Sequence, residues 1–131
     1  MKELDLTTFK NAISSLNSIY NRFQKEQDID LRDGVIQRFE YCFSLCVKTL
    51  QSFIDMQPTE RKEVYTFNEI IRISNRYELL RTNLEQWDLY RKARNLTSHT
   101  YNENLANQLL EIIPEFYEDL VFLLKRLEET I

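Results

Sequence analysis

LRDGVIQRFEYCFSLCVKTLQSFIDM, residues Leu31 to Met56, decides the fold class. Val35, Ile36, Phe39, Phe43, Cys46, Val47, Leu50, Phe53 and Ile54 recur at steps of three and four. That spacing draws one apolar stripe along an α-helix and is incompatible with the two-residue alternation of a half-buried strand. Tyr41 and Leu45 add apolar surface off the stripe. A helix apolar on more than one side packs against several neighbours, so this one is expected at the centre of the fold.

The pattern continues on both sides. Upstream, from about Thr7 to Lys25, the residues Phe9, Ile13, Leu16, Ile19, Tyr20 and Phe23 form a second helical stripe. Downstream, Pro58 and the charged stretch TERKEV make a break. A third helix is expected near Thr66, where Thr66-Phe67-Asn68-Glu69 has capping-box spacing: hydroxyl and carboxylate each satisfy a backbone N–H that the first turn leaves unpaired. Thr82-Asn83-Leu84-Glu85 repeats the device before a fourth helix, from about Asn83 into RKARN, and Thr100-Tyr101-Asn102-Glu103 repeats it again. The last helix carries Leu105, Leu109, Ile112, Ile113, Phe116, Leu120, Leu123, Leu124 and Leu127. Pro114 lies inside it and is expected to kink the helix rather than end it, because the apolar pattern stays in phase.

With 1 glycine and 2 prolines in 131 residues, the chain lacks the turn punctuation of a sandwich or barrel. The expectation is an all-α, up-and-down antiparallel bundle of four to five helices, forming one domain over residues 1–131. A formal net charge of -4 argues against a protein that coats nucleic acid without specificity, while leaving room for a local basic site. The first residues, MKELDLTTFKNAISSL, hold no continuous apolar run of a signal peptide, and no segment is apolar enough to span a bilayer. The cytoplasm is the expected location. Cys42 and Cys46, one helical turn apart, read as small core residues or as a regulatory thiol pair. With His99 the only histidine, no zinc ligand set is apparent and no metal is expected.

Chemistry concentrates in RKARNLTSHTY, Arg91 to Tyr101. His99 and Tyr101 fall at the corner between the fourth and fifth helices. The start of a helix carries unpaired N–H groups and partial positive charge, which favours a phosphate. Arg91, Lys92 and Arg94 add three positive charges within one turn. On a continuing helix Asn95 and His99, four apart, would share a face, and Asn95 could orient the imidazole. Arg94 and His99, five apart, converge only if the helix ends between them or if two chains meet across a two-fold axis. A histidine that moves protons near neutral pH and an arginine that grips a phosphate suit metal-independent RNA cleavage. The plainer reading stands beside it: a helix-end histidine can be a cap or surface residue, and basic side chains in a last turn complement the helix dipole. Tyr101 likewise reads as a packed ring with an exposed hydroxyl, or as part of the anion site.

Leu31 to Phe53 together with ARNLTSHTYNENLA, Ala93 to Ala106, resembles the nucleotidyltransferase substrate-binding protein family of the HEPN superfamily. The likeness covers most of the chain, including the helix order between the two blocks. It implies a four- to five-helix bundle, a homodimer, and a separate minimal nucleotidyltransferase as partner. HEPN ribonucleases carry an arginine, four to six residues, then a histidine; Arg94 and His99 stand so here, as the implied catalytic pair. Arg91, Lys92, Asn95 and Ser98 are the implied supporting or substrate-binding residues. Tyr101 stands where related toxins receive AMP from ATP, which would bring charge and bulk into the phosphate site. The ATP is used by the partner, so no cofactor is expected on this chain.

Three functional expectations follow. The first is a toxin of a toxin–antitoxin pair: an endoribonuclease with a composite Arg94/His99 site at a homodimer interface, silenced by AMPylation of Tyr101. The second is a non-catalytic subunit that binds substrate for the nucleotidyltransferase. The third is a purely structural bundle, in which the site residues are freely replaceable.

Overall fold

The structure, a computed structural model, describes residues 4–61 and 64–130. Lys62 and Glu63, in the charged stretch read as a break, lie outside the described residues. Five α-helices follow in order: α1 (Thr7–Glu26), α2 (Ile29–Asp55), α3 (Phe67–Arg76), α4 (Leu84–Asn95) and α5 (Glu103–Thr130), with a short 3-10 turn at Thr97–His99. The fold is an all-α, up-and-down antiparallel bundle, as the sequence pattern predicts.

Capping residues set the boundaries. The α1–α2 link is closed by Gln27, left-handed at φ 55°, whose N–H returns to the Phe23 carbonyl. The Asp28 carboxylate then accepts the Asp30 N–H at 2.7 Å, starting α2 two residues before the expected Leu31. The full capping box at Thr66 and Glu69 opens α3 as expected. At α4, however, Asn83 is the cap, accepting from the Gln86 N–H at 3.3 Å. The Thr82 hydroxyl, expected there, instead donates to Asp119 at 3.0 Å, because a buried carboxylate needs donors more than a solvated helix end does.

α2 occupies the centre, packing on α1, α3, α4 and α5. Its stripe residues Val35, Phe39, Cys46 and Leu50 are wholly buried, and Cys42 joins them. The chain's single glycine lies in this helix, where glycine costs roughly 1 kcal/mol relative to alanine. Its value is close approach: a Cβ on Gly34 would meet Ile19 Cδ1 at 2.4 Å, so the missing methyl lets α1 lie against α2. α5 continues through Pro114 to Thr130 and buries Leu109, Ile113, Phe116, Leu120, Leu123 and Leu127. Phe116 is the hub of an aromatic cluster, edge-on to Phe39 at 4.8 Å and to Tyr90 at 5.0 Å between ring centroids.

Cys42 and Cys46 are both buried and unbridged. Desolvation pushes the Cys42 thiol up to about 12, and the Cys46 thiol higher still. Both behave as core residues.

Candidate functional site

α4 ends at Asn95, between Arg94 and His99. Of the two arrangements that could bring these residues together, the helix end is therefore present within one chain. Asn95 and His99 are not on a continuing helix, so their four-residue spacing does not place them on one face.

A network of short-range hydrogen bonds shapes the turn. The Thr97 hydroxyl meets the Arg94 carbonyl at 2.8 Å and also the Glu40 carboxylate on α2. The His99 N–H donates to the Leu96 carbonyl at 2.9 Å, and the His99 carbonyl accepts from the Asn102 N–H at 3.1 Å. The Thr100 hydroxyl donates to the Thr97 carbonyl at 3.2 Å and so is not the helix cap expected of it. The cap is Asn102, whose side-chain oxygen accepts from the N–H groups of Asn104 at 3.0 Å and Leu105 at 3.3 Å. Asparagine is among the strongest N-cap residues, which accounts for the shift of the start to Glu103. Tyr101 accordingly stands in the connection ahead of α5 rather than in its first turn.

His99 and Ser98 are exposed, and Tyr101 is 84% exposed, unusual for so large a ring. The rings of His99 and Tyr101 meet edge to face, 6.2 Å apart at 71°. The Tyr101 hydroxyl is thus carried on an exposed ring that meets the imidazole.

The three basic residues behave differently. Asp88 takes Arg91 at 2.5 Å and Lys92 at 3.1 Å, one carboxylate oxygen each. Arg91 also lies over the Phe67 ring on α3, 5.6 Å from its centroid. The hydrogen bonds from Arg91, then Lys92, hold the Asp88 carboxyl below the usual carboxylate range. Arg94, half-buried, makes no ion pair among the described residues. The cationic character of the corner therefore centres on Arg94. On the other side, Arg32 reaches Glu103 at 3.6 Å, and an open cleft of about 460 Å³ is lined by Asp30, Asp33, Glu40, Thr97 and Thr100. Among the described residues no three His, Cys, Asp or Glu side chains converge to hold a metal.

Residues 4–129 match the family described as nucleotidyltransferase substrate binding protein like. The chain belongs to that family. A curated relative, the probable ribonuclease HepT of Haemophilus influenzae, is 31% identical over 98 residues; the match takes in 73% of this chain and 66% of the relative's length. Two solved structures are similar to this bundle. One, from Haemophilus influenzae, is described as revealing the fold of a substrate binding domain of a nucleotidyltransferase; its TM-score is 0.86 at 27% identity, covering 95% of this chain and 99% of that one. The other, from Thermus thermophilus, has a TM-score of 0.76 at 30% identity, covering 91% of this chain and 98% of that one.

Within this family member, three side chains at the corner escaped the sequence reading. Asp88 was within reach of it, since Asp88, Arg91 and Lys92 stand at the three- and four-residue spacings of helical ion pairs. Asn102 was hidden behind Thr100, which stands at capping-box spacing from Glu103. Glu40 left no local signal, being 57 residues from Thr97.

Proposed function

We propose that this chain is the toxin of a toxin–antitoxin pair, a metal-independent endoribonuclease of HEPN type acting in the cytoplasm as a one-domain homodimer over residues 1–131. Arg94 holds the scissile phosphate, and His99 takes the proton from the ribose 2′-hydroxyl as its oxygen attacks phosphorus. The P–O5′ bond breaks, the leaving 5′-oxygen takes a proton from the resulting His99 imidazolium, and a 2′,3′-cyclic phosphate remains. Arg91, Lys92, Asn95 and Ser98 support RNA at the rim. The chain needs no cofactor; its partner, a minimal nucleotidyltransferase, uses ATP to place AMP on Tyr101 and silence the site.

The observation that carries this reading is the end of α4 between Arg94 and His99, with the exposed Tyr101 ring against the imidazole. The name of the Haemophilus influenzae relative, a probable ribonuclease, agrees with it. Support for the homodimer comes from Leu89 on α4 and Leu96 at its C-terminal cap, seven residues apart and 51% and 37% exposed.

Intact mass and peptide mapping of the chain, expressed with and without the nucleotidyltransferase, test the proposal. Addition of AMP at Tyr101, with growth inhibition by the unmodified chain that is lost in His99→Ala, is the expected result. A fully toxic His99→Ala chain would overturn it.

The second reading is a non-catalytic subunit presenting substrate to the nucleotidyltransferase. It is favoured by Asp88, which occupies two of the three cations at the corner, and by the description of the Haemophilus influenzae structural relative. Formation of a stable complex without RNA cleavage or AMP transfer would select it.

A further inference from the structure

We propose that Glu40 is a positioning residue for the corner, holding through Thr97 the turn on which His99 is presented. The inference rests on the reading of Arg94 and His99 as the reactive pair.

Thr97 is the third residue after Arg94 and the second before His99, so its conformation sets the relation between the two. Its hydroxyl has one proton and two acceptors in reach, the Arg94 carbonyl and the Glu40 carboxylate. The carbonyl contact is local, of a kind that closes many helix ends. The Glu40 contact is different in kind: it ties the turn to the central helix, the best-packed element of the bundle. A charge-assisted bond to an anchored carboxylate is shorter and stronger than its neutral counterpart. Beyond it, the turn has little to hold it. Leu96, Ser98, His99 and Tyr101 are exposed, and no residue from Leu96 to Leu105 is buried. The remaining bonds from Leu96 to Asn102 are internal, from His99 to Leu96, Thr100 to Thr97 and Asn102 to His99, and the ion pair of Arg32 with Glu103 at 3.6 Å meets the chain only after the turn. Internal bonds keep the turn's shape but do not orient it against the bundle. Glu40 supplies the side-chain tether that does.

Displacing a reactive group by about 1 Å can cost on the order of a hundredfold in rate. Glu40→Ala is therefore expected to lower kcat for RNA cleavage tenfold or more with KM and thermal midpoint nearly unchanged, because Arg94 still binds phosphate. Glu40→Gln keeps an oxygen acceptor and should restore most of the rate. Thr97→Val removes the same bond from the other side, and the two effects should not add. The experiment is steady-state cleavage of an RNA substrate by wild type, Glu40→Ala, Glu40→Gln, Thr97→Val and the double variant. Amide hydrogen exchange at His99 and Asn102 is followed in the same samples, with His99→Ala as the inactive reference. Faster exchange and lower kcat in Glu40→Ala, both recovered in Glu40→Gln, support the assignment. Wild-type kcat in Glu40→Ala, wild-type exchange, or equal losses in Ala and Gln would overturn it. If wild type itself does not cleave RNA, the ribonuclease reading falls; AMP transfer to Tyr101 then replaces cleavage as the rate measured, and an unchanged exchange rate in Glu40→Ala still rejects the tether.

Discussion

The Tyr90 hydroxyl donates to the Asp119 carboxylate, joining α4 to α5 one helical turn before Arg94. Asp119 is wholly buried and also accepts from Arg81 at 2.9 Å and Thr82 at 3.0 Å. Three donors around one buried carboxylate fix how the helix carrying Arg94 lies on the bundle.

Removing the Tyr90 hydroxyl in Tyr90→Phe should destabilise the fold by about 1.5–3 kcal/mol, the usual worth of a hydrogen bond to a charged group. Asp119→Ala should cost about 3 kcal/mol, at the low end for breaking a buried pair, since Arg81 keeps Glu115 at 2.7 Å. Urea denaturation measures both. A Tyr90→Phe chain as stable as wild type would show the bond to be dispensable.

Burial raises the Asp119 carboxyl above the usual carboxylate range, against the lowering effect of Tyr90, Thr82 and Arg81. A group raised in the folded state contributes most stability below its unfolded pKa of about 4 and loses that contribution as pH rises through the folded value. Wild type should thus lose ground against Asp119→Asn as pH rises above about 4. A stability difference that is flat with pH, or that grows, would contradict the raised value.

Asp88→Asn removes the carboxylate shared by Arg91 and Lys92. Freed cations contact phosphate, so RNA binding should tighten at low salt and its logarithmic salt slope should steepen by about one to two. Filter binding across a salt series reads the slope. No change would mean that Arg91 and Lys92 stay clear of RNA.

Cys42 and Cys46 should resist alkylation at pH 8, because burial denies access and keeps the Cys42 thiol up at about 12, far from thiolate formation. Both should react at once in denaturant. Rapid labelling of the folded chain would expose an opening motion along α2.

Leu96→Asp should shift the proposed homodimer toward monomer, by setting a desolvated charge in the apolar face that Leu89 and Leu96 present. Light scattering at micromolar concentration decides. A dimer that survives both Leu96→Asp and Leu89→Asp has its interface elsewhere.

The helices were legible because their stripes are long: Val35 to Ile54 on α2 and Leu105 to Leu127 on α5 span many turns, and the core buries most of the predicted positions. Ends were legible only where one residue had an undisputed claim to cap, as Thr66 did. At Thr82-Asn83 and Thr100-Tyr101-Asn102 two capping residues stand close together, and what the threonine bonds elsewhere settled the contest. The corner itself was marked by Arg94, His99 and Tyr101, but its supports were not. Asp119 binds Arg81, 38 residues away, and Glu40 binds Thr97, 57 away. Pairs so distant follow from helix packing, which no local spacing encodes.

None of the corner residues from Leu96 to Tyr101 belongs to the buried core. Substitutions there leave the core's packing intact, so the corner can change through a single codon while the bundle is inherited whole. Chains that differ at this corner can therefore share one architecture, separated by mutations that selection for folding does not register.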